Sequence, residues 1–98
     1  MRLSTLAEVR SALKWRLAVT NEAIEEARKY FDERGYDSFN GGDVQLKRGR
    51  TDDGKLKADL AVEWNEEMEE KKRFLMRRYM ESHRIESAIK DLEEHNFI

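Results

Sequence analysis

The chain has no cysteine and no proline. Without thiols it forms no disulfide, builds no thiolate metal site and carries no cysteine nucleophile. Without proline, nothing in the backbone vetoes long helices. Glycine is scarce and confined. All five stand at positions 35, 41, 42, 49 and 54, so both flanks are glycine-free and the middle is a different kind of structure. Long apolar runs are missing too. No stretch approaches the ~20 apolar residues of a membrane span. Met1-Arg2-Leu3-Ser4-Thr5 leads straight into charged amphipathic sequence instead of a signal peptide's apolar core. A cytoplasmic protein without membrane attachment is the expectation. Neither sign of charge dominates: 19 basic and 21 acidic side chains leave a formal net charge of −2. That is too little to draw the whole molecule onto nucleic acid or an anionic membrane.

What is present is a wet, patterned chain: 98 residues, 41% charged and 39% hydrophobic. A chain of this size is one domain, residues 1–98, and removes only about two-thirds of its unfolded surface from water. Such a composition implies elongated helices or apolar surface completed by another chain.

In the first flank, Leu6, Val9, Leu13, Leu17, Thr20, Ile24, Ala27 and Phe31 follow at intervals of three and four, which predicts a helix over 6–34. Thr5 and Glu8 have capping-box spacing, and Gly35 supplies the stop. A second stripe of Ala12, Trp15, Val19, Ala23 and Tyr30 widens the apolar sector beyond one seam.

The centre, 39–64, reads with period two. Leu56, Ala58, Leu60, Val62 and Trp64 alternate with other residues, as do Val44 and Leu46 upstream. Between them Asp52-Asp53-Gly54 suits a turn. The spacing predicts a β-hairpin folded about Thr51 and Asp52, setting Arg48 near Lys55 and Phe39 near Trp64, with Gly41-Gly42 absorbing a bulge. The competing reading starts the second helix early, at about Asp59. Asn65 then serves as an N-cap with Glu66 and Glu67 in the first turn. A helix over 66–94 follows, with Met68, Leu75, Tyr79, Ser82, Ile85, Ile89 and Leu92 on one face.

The expected fold is therefore mainly α with a small β-hairpin: two long antiparallel helices joined by a central two-stranded hairpin, in the order α-β-β-α, and oligomeric. Facing helix positions sum to about 100. Arg10 then meets Asp91, Glu93 and Glu94, and Lys14 meets Glu86. Glu22, Glu25 and Glu26 meet Arg73, Arg77 and Arg78, while Arg28 and Lys29 meet Glu69 and Glu70. Exposed pairs of this kind are worth about 0.2–1 kcal/mol each, so they set orientation more than stability. The same blocks would also align two chains.

No motif supports catalysis. Gly49 to Lys55 has the glycine and lysine spacing of a phosphate-binding loop. Leu56, however, stands where Mg²⁺ needs Ser or Thr, and Asp52 and Asp53 would face the phosphates. His83 and His95, the two histidines, lie about 18 Å apart along a helix, too far to share a metal. Ser82 and His83 are adjacent and diverge by about 100°, so the hydroxyl is not activated. Neither catalytic residues, nor a metal site, nor a cofactor is expected.

The function expected is a non-catalytic protein–protein interaction module that self-associates and acts as an assembly, adaptor or inhibitory accessory factor. Its partners are itself, as homodimer or higher oligomer, and an unidentified protein. Trp15, Tyr30, Trp64, Phe97 and Ile98 are the expected contacts, since aromatic side chains dominate well-packed interface centres. The alternative is an accessory nucleic-acid binder using Lys47, Arg48, Arg50, Lys55 and Lys57 at the hairpin tip. Against it stands the ordinary use of Lys and Arg to keep strand edges from pairing further.

Overall fold

The computed structural model describes residues 3–94. Helix α1 spans Leu3–Glu33, strand β1 Tyr36–Ser38, strand β2 Val44–Leu46 and helix α2 Glu66–Glu94, with a single 3-10 turn at Lys57–Leu60 ahead of α2. The order is α-β-β-α, two long helices joined by a two-stranded antiparallel hairpin.

Helix α1 begins at Leu3, so Thr5 and Glu8 lie inside its opening turns and mark no boundary. Its end follows the sequence closely. The last turn tightens, with the Gly35 amide donating to the Asp32 carbonyl at 3.2 Å, and Gly35 takes φ +90°, open to glycine and strained for other residues. The Arg34 guanidinium donates to the Tyr30 carbonyl at 2.9 Å, satisfying one of the orphan acceptors at a helix C-terminus. At the start of α2, the Asn65 side-chain oxygen accepts from the Met68 amide at 3.0 Å, the N-cap its position implied.

The hairpin lies earlier in the chain than its alternation implied. Tyr36, Asp37 and Ser38 pair with Leu46, Gln45 and Val44, and the chain reverses through Asn40 to Asp43, where Gly41 and Gly42 supply positive φ. Those glycines form the turn and not a bulge, so Val44–Leu46 pairs backward onto β1. A tight turn does form at Thr51, whose amide donates to the Lys55 carbonyl at 2.8 Å, but its arms share only the bridge Arg50–Leu56. Residues 55–64 form neither a strand nor an early part of α2. They are drawn into the closed end instead: the Val62 amide donates to the Arg34 carbonyl at 2.9 Å, and the Tyr36 hydroxyl donates to the Val62 carbonyl at 2.8 Å. Tertiary contact overrides a period-two pattern that has no partner edge.

The core sits beside this junction. Ile24, Ala27, Phe31, Tyr36, Met68 and Leu75 form one buried cluster, with Phe31, Met68 and Leu75 fully enclosed. Trp64 stacks on Phe31 with ring centroids 5.8 Å apart and meets Tyr36 edge-on at 5.4 Å. Farther along, Ile85 and Ile89 are buried, whereas Leu6, Leu13, Leu17 and Leu92 are half-buried. The molecule measures 61 × 27 × 15 Å, a layer one helix thick.

The antiparallel register agrees with facing positions that sum to about 100. Arg10 pairs with Glu93 at 2.9 Å, and Arg16 with Glu81 at 3.5 Å. The Tyr30 hydroxyl donates to Glu67 at 2.8 Å, and the Ser82 hydroxyl to the Asn21 carbonyl oxygen at 3.0 Å. Other expected pairs do not form. Lys14 reaches Glu93 at 4.0 Å instead of Glu86. Glu25 and Lys29 pair along α1 with Arg28 and Glu33, and Arg78 along α2 with Glu81. Among the described residues, Glu22, Glu26, Arg73 and Arg77 make no ion pair. The reason is angular. Each stands two residues from a core residue, Ile24 or Leu75, and is thereby turned about 200° from it, away from the opposite helix.

Candidate interaction surface

The two flanks of the helical layer differ. On one, Arg28 donates to the Ser38 hydroxyl at 3.2 Å, Lys47 pairs with Asp32, and Gly42 packs against Met76, so the hairpin covers this flank near the closed end. Beyond the hairpin the flank is polar, with Asn21, Glu25, Tyr79, His83 and Glu86 along a cleft.

The opposite flank has no cover among the described residues. At about 100° per residue, Val9, Ala12, Val19, Ala23 and Tyr30 fall on this side of α1, and Phe74, Ala88 and Leu92 on the matching side of α2. Between the helices runs a groove of about 650 Å³ floored by Leu13, Ile85 and Ala88 and rimmed by Arg16, Arg77, Arg78 and Arg84. Helical periodicity places the apolar side chains, and the thinness of the layer leaves them wet.

Of the expected contact residues, Trp15 is the one left free, 69% exposed on the outer edge of α1. Tyr30 is half-buried and tied down. Its hydroxyl binds Glu67, and the Arg34 guanidinium lies 3.5 Å from its ring centre. Loss of solvent, and then the bond to Glu67, raise the phenol above its ordinary range. Trp64, 36% exposed, stacks on Phe31 at the edge of the closed-end core and donates from its indole nitrogen to Glu69 at 2.9 Å. Trp15 and Tyr30 lie about 22 Å apart along α1, so these aromatics form no single patch. Phe97 and Ile98 lie outside the described residues.

Two of the five basic residues expected at the tip are already engaged. Lys47 holds Asp32, lowering that carboxyl below its usual range through hydrogen bonding and charge, and its own ammonium is raised by the same bond. Arg50 donates to the Gly54 carbonyl at 2.8 Å. Arg48, Lys55 and Lys57 are exposed on the connection, with Asp52, Asp53 and Asp59 nearby in the chain.

The α2 side of the surface was the harder part to read. Arg73 and Arg77 look like members of a charge run that encircles the helix. With Arg84 they are spaced by four and seven and share one outer stripe with Met80, which is 56% exposed. Among the described residues, no group of three or more His, Cys, Asp or Glu side chains is placed to hold a metal ion, and no helix is long and apolar enough to cross a membrane. No family model, curated protein or solved structure matches the chain.

Proposed function

We propose that this chain is a non-catalytic protein-interaction module that self-associates and serves as an assembly, adaptor or inhibitory accessory factor. The observation that carries this reading is the uncovered apolar flank of a layer only 15 Å thick. The chain exposes 7348 Å², whereas a globular monomer of its mass exposes about 5,900 Å². The excess is of the size that a stable homodimer removes from each subunit, roughly 1,000 Å² or more. The radius of gyration, 18.4 Å, compares with about 13 Å for a compact domain of this length. A second apolar set, Leu56, Leu60 and Val62, stands exposed at the closed end, where it would offer a different protein a place to bind.

Light scattering coupled to size exclusion tests the reading directly. The mass is expected at twice 11.7 kDa or above, falling toward the monomer on dilution. A monomeric mass at every concentration would overturn the proposal. Trp15→Ala is expected to weaken association about 10- to 30-fold, the effect of losing an exposed aromatic anchor worth about 1.4–2 kcal/mol. It should leave the monomer's melting temperature nearly unchanged.

A further inference from the structure

Resting on the interaction-module reading, though not on self-association, we infer that the groove between α1 and α2 on the uncovered flank receives an acidic amphipathic helix of a second protein. The apolar stripe of that helix lies on Leu13, Met80, Ile85 and Ala88, and its carboxylates meet the arginines of the rim.

Charge selects the occupant. The groove, about 650 Å³, is lined by four guanidiniums, Arg16, Arg77, Arg78 and Arg84, against one carboxylate, Glu81. Arg78 holds Glu81 at 2.7 Å and Arg16 reaches it at 3.5 Å. A guanidinium has five N–H donors, so one shared carboxylate leaves most of both sets open. Arg77 and Arg84 are exposed and make no ion pair among the described residues. The whole chain carries a formal net charge of −2, so the basic character belongs to the groove and not to the molecule. A second copy would bring the same arginines to the rim. An acidic segment brings their opposites, and each planar guanidinium can take a carboxylate through two parallel hydrogen bonds. Self-association is left to the outer edge of α1, where Trp15 stands.

Shape selects a helix. Two antiparallel helices side by side leave a furrow into which the ridges of a third can pack. From Arg77 to Ala88 the furrow runs about 16 Å, about three helical turns. Met80, 56% exposed, and Val19, 46% exposed, add apolar surface on its α2 and α1 sides. The hairpin lies on the other flank, so an extended peptide finds no strand edge here to pair with. A nucleic acid would satisfy the arginines but leave the apolar floor against sugar and phosphate, and the groove lining holds no aromatic ring on which a base could stack. The occupant therefore carries large aliphatic side chains at intervals of three and four, with acids on both sides of that stripe.

The probe is a synthetic helical peptide of about 18 residues, with leucines at those intervals and glutamates flanking them. Fluorescence anisotropy of the labelled peptide should show saturable binding, one peptide per chain. Replacing its glutamates by lysines, or its leucines by alanines, should weaken binding at least about tenfold in each case. Arg77→Glu with Arg84→Glu should weaken it by a similar factor, with unchanged helix content by circular dichroism because both side chains are exposed. Arg48→Glu with Lys55→Glu makes the same change of net charge on the exposed connection and should leave the affinity as it is. Raising the ionic strength should weaken binding several-fold. No binding of the glutamate peptide, equal binding of the lysine or alanine peptide, or no effect of the groove reversal overturns the inference. So does a single-stranded oligonucleotide that binds more tightly than the peptide and is lost on the same reversal. Light scattering of the chain alone keeps the two proposals apart: a monomer that binds the peptide overturns self-association only, and a dimer indifferent to the peptide overturns the groove only.

Discussion

Phe31→Ala is expected to lower the melting temperature by about 15–30 °C. The side chain is fully enclosed, stacked on Trp64 and met edge-on by Tyr30 at 5.2 Å. Truncating a buried phenylalanine costs about 3–5 kcal/mol, through lost transfer free energy and the cavity that remains. A chain of this length has total stability of only about 5–15 kcal/mol, and each kcal/mol moves the melting temperature by about 4–8 °C. No second core stands by to compensate, because Phe31, Met68 and Leu75 are the fully enclosed large side chains. Thermal denaturation followed by circular dichroism, at one fixed protein concentration, reads the shift. A loss of less than about 5 °C would show that the closed end does not hold the fold together. The two tryptophans divide the question: Trp64, 36% exposed, stacks on Phe31 at the edge of this core and Trp15 stands away from it, so Trp64→Ala is expected to lower the melting temperature and Trp15→Ala to act on the proposed association.

Gly42→Ala should detach the hairpin from α2. A β-carbon at this position would lie 2.5 Å from Cγ and 2.8 Å from Cα of Met76, and the latter belongs to a helix backbone that does not yield cheaply. The backbone angle, φ +92°, adds its own strain. Together these cost about 2–5 kcal/mol. Gly41→Ala is the matched control. Its φ is +89°, yet nothing lies within 4 Å of the added carbon, so only the backbone strain of about 1–2 kcal/mol applies. Denaturant midpoints of the two variants separate the effects. Equal losses would mean that the close approach of the hairpin to Met76 contributes nothing.

The helices were legible because their evidence is local and repeated. Eight positions, seven apolar and Thr20, trace α1, Gly35 stops it, and Asn65 with Glu66 and Glu67 opens α2, each by a mechanism that acts within one turn. The orientation of the helices was legible from charge, since Arg10 and Glu93 lie far apart in sequence but fall at matching heights. The hairpin's location was not. Leu56 to Trp64 has the alternation of a strand, and nothing local reveals that Gly41 and Gly42 turn Val44 back onto Tyr36 first, or that Ala61 closes against Gly35. Which period-two segment finds a partner edge is settled by tertiary contact. The same limit applied to the surface. Trp15 was recognisable as unspent apolar area, whereas Trp64 looked equivalent until its stacking on Phe31 tied it to the edge of the core. Arg77 and Arg84 gained meaning only when the buried stripe of α2 fixed which way they point.

The concentration of burial at one end also sets an order of events. Around the closed end, packing is dense and the contacting segments are separated by less chain than those at the open end, so their encounter carries the smaller entropic penalty. Toward the other end the helices hold each other through Ile85, Ile89, half-buried leucines and the solvent-exposed pair Arg10–Glu93. With fewer enclosed side chains there, the amides of that half are expected to exchange faster than those of the closed end. The fold is thus firmest at the closed end and weakest along the open half. Under the association proposed above, a contact along the open half would order it as it forms, coupling the two events.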